Sequence, residues 1–115
     1  MNLKLVQITD RGVPFQERLH LTATAPVLLN YYVVFHTVMV GDRINTTPKH
    51  VFWFPETRVK RGDNIILYSK GGSPSSTANA DGTTNHFFFW GLPNTIWDNP
   101  NERATVLEVA SWLTI

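Results

Sequence analysis

Cysteine is absent from the 115 residues. A disulfide framework, a zinc–thiolate site and thiol catalysis are therefore excluded. Charge is scarce as well: Asp, Glu, Lys and Arg make up 17% of the chain, and the formal net charge is +1. Non-specific nucleic-acid binding needs a dense basic face, so nucleic acid is not an expected partner. No apolar run reaches the ~18 residues of a membrane span, and Met1–Asp10 alternates polar and apolar residues where a secretory leader would build an apolar core. The expectation is a cytoplasmic protein without membrane contact. Asn45-Thr46-Thr47 matches a glycosylation sequon, read as coincidence without a leader. A sustained helical stripe is also missing.

What is present is period-two alternation. In Glu17–Ala25, Leu19, Leu21 and Ala23 face one way and Arg18, His20, Thr22 and Thr24 the other, the pattern of a half-buried strand. Leu3–Thr9 alternates too, with Leu3 and Leu5 opposite Val6 and Ile8. Leu29–Val40 is β-branched and aromatic on both faces, as a central strand would be. His50–Phe54 is short and bounded by Pro48 and Pro55, which marks an edge. Asn64–Lys70 follows an Arg61-Gly62-Asp63 turn, Asn85–Gly91 forms a further strand, and Ala104–Ile115 closes the series. About seven antiparallel strands in one domain spanning 1–115 predict an all-β, immunoglobulin-like sandwich, with a small closed barrel as the structural alternative. Gly71–Thr84 carries no apolar anchor and reads as a long polar loop, functional or mobile.

Chemistry-bearing residues do not fall into a recognisable set. His20, His36, His50 and His86 show no His-x-His pairing, so no metal or other cofactor is expected. His36, inside an apolar strand, reads as a hydrogen-bonded core histidine, and His20 as solvent-facing. No serine sits in a Gly-x-Ser-x-Gly frame. Asp98, Asn99, Asn101 and Glu102 could offer oxygen ligands to Ca²⁺ but lack the periodicity of a calcium loop. The expectation is no catalytic site and no enzyme. Arg58, Lys60 and Arg61 form the one basic cluster, a weak anion contact at most.

Four stretches, in order, resemble the lamin tail domain. Glu17-Arg18-Leu19-His20-Leu21 is similar to that family's Glu-x-Val/Leu-x-Leu strand, and Leu29-Asn30-Tyr31-Tyr32-Val33-Val34 to its Leu-x-Gly-Trp/Tyr strand. Phe52-Trp53-Phe54-Pro55 with Val59-Lys60-Arg61-Gly62-Asp63-Asn64-Ile65-Ile66-Leu67-Tyr68 resembles its Phe-Pro…Gly…Val-x-Leu block. Trp97-Asp98-Asn99-Pro100-Asn101-Glu102-Arg103-Ala104-Thr105-Val106-Leu107 resembles its Trp-Asn-Asn-x-Gly-Asp-x-Val-x-Leu signature. The chain departs from the pattern at Asn101-Glu102, where the family has Gly-Asp, and at Tyr31-Tyr32. The resemblance implies an immunoglobulin-like, non-catalytic interaction module, here a stand-alone member of bacterial or phage type.

The clearest functional signal in the residues themselves is aromatic. Phe52, Trp53 and Phe54, with Phe87, Phe88, Phe89 and Trp90, put large rings on both faces of two short strands. A two-layer sandwich buries only one face of each sheet. Phe52, Phe54, Phe88 and Trp90 share one parity; Trp53, Phe87 and Phe89 have the other. One set fills the core, and the other is covered by the 71–84 segment or by a partner. The expected partner is a protein or a second copy of the chain. The alternative is a glycan or small ligand stacked on Trp53, Trp90, Trp97 or Trp112.

Overall fold

The computed structural model describes residues 1–115 and contains eleven strands: β1 (Leu3–Thr9), β2 (Arg18–Ala23), β3 (Val27–Leu28), β4 (Tyr32–Val40), β5 (Arg43–Ile44), β6 (His50–Trp53), β7 (Arg58–Val59), β8 (Asn64–Tyr68), β9 (Ser75–Ala78), β10 (Thr84–Phe89) and β11 (Glu102–Glu108). Five form one sheet in the order β1-β2-β8-β10-β9. A second sheet runs β11-β4-β6, with β5 folded onto the end of β4, and β3 and β7 make a small ribbon. The chain is all-β with one 3-10 turn, Leu29–Tyr31. No helix is long and apolar enough to cross a membrane.

The seven long segments expected from alternation all contain strands, with shifted ends. Leu29–Tyr31 turns before β4 begins, and β11 stops at Glu108. Three short strands and β9 are additional. Apolar side chains at alternate positions drive the packing. Leu19, Leu21, Ile65, Leu67 and Phe88 from the five-stranded sheet meet Tyr32, Val34 and Phe54 from the second sheet, with Leu29, Val59, Ile96 and Trp97 completing one buried cluster. Each fully buried aliphatic side chain contributes roughly 2 kcal/mol.

Two expectations about pairing are corrected. β1 carries a bulge between Leu5 and Gln7, so Leu3, Leu5 and Ile8 oppose Ala23, Leu21 and Leu19. The extra residue, Val6, reverses the parity of everything after it, and Ile8 joins Leu3 in packing against the core. The sheets are also not wholly antiparallel: β10 pairs with β8 in parallel, Asn85 opposite Asn64 through Phe89 opposite Tyr68. Parallel neighbours cannot be joined by a tight turn. The chain leaves β8, passes beyond the sheet edge, forms β9, and returns as β10 between β8 and β9.

The polar stretch 71–84 is therefore not a loop throughout. It holds the edge strand β9, all four of whose residues are exposed, which is why no apolar signal marks it. A row of polar side chains ties this edge to the sheet. Asn64 Nδ2 donates to Asn85 Oδ1 at 2.9 Å, Asn79 Nδ2 donates to the same oxygen at 3.0 Å, and Asn85 Nδ2 donates back to Asn79 Oδ1 at 3.1 Å. At the start of the stretch the chain lies on Phe89, whose ring stacks on Tyr68 with centroids 5.4 Å apart. A Cβ on Gly72 would stand 2.6 Å from Phe89 Cδ1 and 2.7 Å from Cγ. Gly72→Ala is expected to displace the Phe89 ring from Tyr68 and cost about 1–3 kcal/mol. Urea denaturation, with amide exchange at Ser75–Ala78, checks this; unchanged stability and protection would mean that the segment does not rest on Phe89.

Candidate functional site

The second sheet buries an apolar row on its inner face, and at one end that row becomes polar. Along β4, Tyr32, Val34 and His36 point inward and are buried. His36 lies directly opposite His50 of β6, while Ala104 of β11 faces it on the other side. That register brings Glu102, one step diagonal, to His36. His36 Nε2 and Glu102 Oε2 are 2.6 Å apart, and Lys49 Nζ donates to Glu102 Oε1 at 3.2 Å. His36 Nδ1 and His50 Nδ1 are 3.0 Å apart. The two rings are parallel within 4°, with centroids 5.3 Å apart. A centroid separation larger than the N···N contact by about two ring radii puts the imidazoles side by side in one plane, joined by a single N–H···N bond, rather than face to face.

The protons on this chain follow from its ends. Burial alone would raise the Glu102 pKa, but the hydrogen bonds from His36 and Lys49 outweigh it and hold the group below its ordinary value. Glu102 is thus a carboxylate, and His36 Nε2–H donates to it. With the pair neutral, His36 Nδ1 accepts from His50 Nδ1–H, and the lone pair is delivered to His50 Nε2. That atom makes no hydrogen bond within the protein and is not among the buried polar atoms left without a partner, so it reaches solvent. The Trp90 ring stands edge-on to His50 at 6.4 Å.

His50 also lines a cleft of about 390 Å³, together with Lys49, Asn94, Thr95, Asp98 and Asn99, among others. The far wall, residues 92–99, is irregular chain held by two anchors. Glu17 is 1% exposed. Its Oε1 accepts from the Ile96 amide at 2.8 Å, and its Oε2 accepts from the amides of Trp97 at 3.0 Å and Gly12 at 2.8 Å. Arg11 Nη1 donates to the carbonyls of Trp97, Asn99 and Glu102 at 3.5, 3.3 and 2.9 Å. Trp97, fully buried, donates from Nε1 to the Arg103 carbonyl. A second cleft of about 400 Å³ beside β3 is apolar apart from Glu108, which already accepts from Tyr32 Oη at 2.6 Å.

The aromatic residues singled out in the sequence do not form one patch. Phe54 and Phe88 are buried, and Phe52 and Trp90 pack against the core. Phe52 lies 5.1 Å from Phe54 and 5.9 Å from Trp90, which lies 5.9 Å from Trp97. Phe87 and Phe89 face outward on the five-stranded sheet, where Phe89 is covered by the chain at Gly72. Trp53 faces outward on the other sheet, 47% exposed, edge-on to Trp112 at 5.1 Å; Tyr31 meets Trp112 from a further side at 5.4 Å. Of the basic cluster, Lys60 donates to the Gly82 carbonyl, and Arg58 and Arg61 are exposed on either side of it.

His36 is buried and hydrogen-bonded, as expected of a histidine inside an apolar strand, and three strands bring it together with His50 and Glu102. The sequence signal was parity alone: His36 shares the inward face of Tyr32 and Val34. His86 is also partnered, donating from Nε2 to the buried Asp63 at 3.0 Å. His20 is not solvent-facing. It is half-buried, its Nε2 has no partner, and burial followed by the Arg18 charge lowers its pKa. Arg11 was not anticipated. No protein-family model, curated protein or solved structure matches the chain.

Proposed function

We propose that the protein is a non-catalytic interaction module of the immunoglobulin-like, lamin-tail type, and that it self-associates through the outer face of the β11-β4-β6 sheet. The observation that carries this reading is the exposed cluster of Trp53, Trp112 and Tyr31, bordered by Val51 at 51% exposure and Leu113 at full exposure. Apolar groups this large, contiguous on one sheet face, are what buried interface centres are made of. A second copy presents the same face, so the contact can close as a two-fold dimer. The lamin-tail resemblance gains support from the work its motif residues do: Glu17 binds three backbone amides, Gly62 turns at φ 88° into β8, and Trp97 fills one end of the core.

Trp53→Lys puts a charge at the centre of this face without entering the core. Light scattering after size-exclusion chromatography is expected to give the mass of two chains for the wild type and of one chain for the variant. A wild type that stays at the mass of one chain as concentration is raised overturns self-association.

A further inference from the structure

The Glu102–His36–His50 chain puts a buried imidazole on the inner face of an apolar sheet, where a polar group is costly, and ends at a solvent-reaching nitrogen. From its geometry we infer that the cleft at His50 binds an uncharged, polyhydroxylated ligand of monosaccharide size, with His50 Nε2 accepting a hydrogen bond from one hydroxyl. The inference does not depend on the self-association described above; the two surfaces lie on opposite faces of the same sheet.

The cleft's chemistry selects the class of ligand. Its polar groups mix donors and acceptors. His50 Nε2 and the Asp98 carboxylate accept, Lys49 Nζ donates, and Asn94, Asn99 and Thr95 do both. Asp98 is in no ion pair. Glu102 and Asp98 against Lys49, with both histidines neutral, leave the site with one excess negative charge, which disfavours a carboxylate or phosphate ligand. A hydroxyl group both gives and takes a hydrogen bond, so vicinal hydroxyls satisfy such a lining without bringing charge into it. About 390 Å³ lies within the range of small-molecule sites.

The site is also preorganised. The acceptor lone pair on His50 is fixed by His36, which is fixed by Glu102. The opposing wall is fixed by Glu17 through the Ile96 and Trp97 amides and by Arg11 through three carbonyls. Holding both sides in advance lowers the ordering cost of binding. Stacking on tryptophan plays no part here: Trp97 is fully buried, Trp90 packs into the core, and Trp53 and Trp112 lie on the other face.

The test is a titration of the ¹⁵N-labelled wild-type protein with glucose, galactose, mannose and N-acetylglucosamine, each separately. Readouts are the amides of Asn94–Asn99 and the His50 ring nitrogens. At least one sugar is expected to give saturable shifts in both, with His50 Nε2 moving more than Nδ1. Asp98→Asn, an exposed change that leaves the core intact, and His50→Gln are each expected to weaken that binding about tenfold, the size of one lost hydrogen bond. Phosphate and methylammonium serve as charged controls and are expected to give no saturable shift. The inference is overturned if no sugar saturates, if a charged control binds the cleft instead, or if Asp98→Asn leaves sugar affinity unchanged.

Discussion

Glu17→Ala is expected to remove on the order of 4 kcal/mol of folding stability, a large part of the 5–15 kcal/mol that holds a typical domain together. The carboxylate is 1% exposed and accepts from three amides in two distant segments, Gly12 on one side and Ile96 and Trp97 on the other. Truncation leaves three donors at a protein interior, each worth about 1–3 kcal/mol when unpaired. It also loosens Trp97, whose indole fills the end of the core. Glu17→Gln keeps the shape and one acceptor but turns an NH₂ group toward amide donors, so about half of that loss, roughly 2 kcal/mol, is expected. Urea denaturation of both variants measures the effect. A loss below about 1 kcal/mol for Glu17→Ala would show that the 92–99 wall does not depend on this side chain.

Asp63→Asn is the second large effect, about 2–3 kcal/mol near neutral pH, and it has a pH signature. Asp63 sits in the turn before β8, 1% exposed, where Oδ2 accepts from the Lys60 amide at 2.9 Å and from His86 Nε2 at 3.0 Å, and Oδ1 accepts from the Thr84 amide at 3.0 Å. Burial would raise its pKa, but the hydrogen bonds from Lys60, His86 and Thr84 together outweigh it and hold the carboxyl below its ordinary 3.8. The folded pKa is depressed, so this group's contribution is complete above the unfolded value. It is lost as pH falls below 3.8 toward the folded value. Wild type and variant should therefore differ most near neutrality and converge in acid. Glu102, depressed in the same direction, keeps some acid sensitivity in the variant. Parallel stability curves with no convergence would mean that Asp63 is not ionised by its native contacts.

Alternation revealed the strands that are buried on one face. Leu19, Leu21 and Ala23 share one face in the alternation and are buried, and Phe52, Phe54, Phe88 and Trp90, grouped by parity, prove to be the set that packs into the core. Three features were invisible for separate physical reasons. The bulge at Val6 changes parity without any glycine to announce it. β9 is held by backbone pairing and neighbouring amide side chains, so it has no large apolar residue to count. The His36–His50–Glu102 chain comes from residues on three strands, and only the pairing register, which local sequence does not encode, sets them side by side. Parity separated Trp53 from Phe52 and Phe54, but its neighbours Tyr31 and Trp112 come from segments whose irregular course periodicity cannot describe.

The insertion of β10 between β8 and β9 has a consequence for the order in which the molecule assembles. The β9–β10 hairpin is local, with Asn79 and Asn85 only 6 residues apart, whereas the parallel pairing spans 21 residues from Asn64 to Asn85. Closing the longer loop costs more chain entropy and pays back later. The hairpin is therefore expected to form before it docks onto β8, the step that brings Phe88 to Phe54 across the core. Before that docking, β8 would present an open edge bearing Ile65, Ile66 and Leu67, an apolar strand edge of the kind that pairs with other chains.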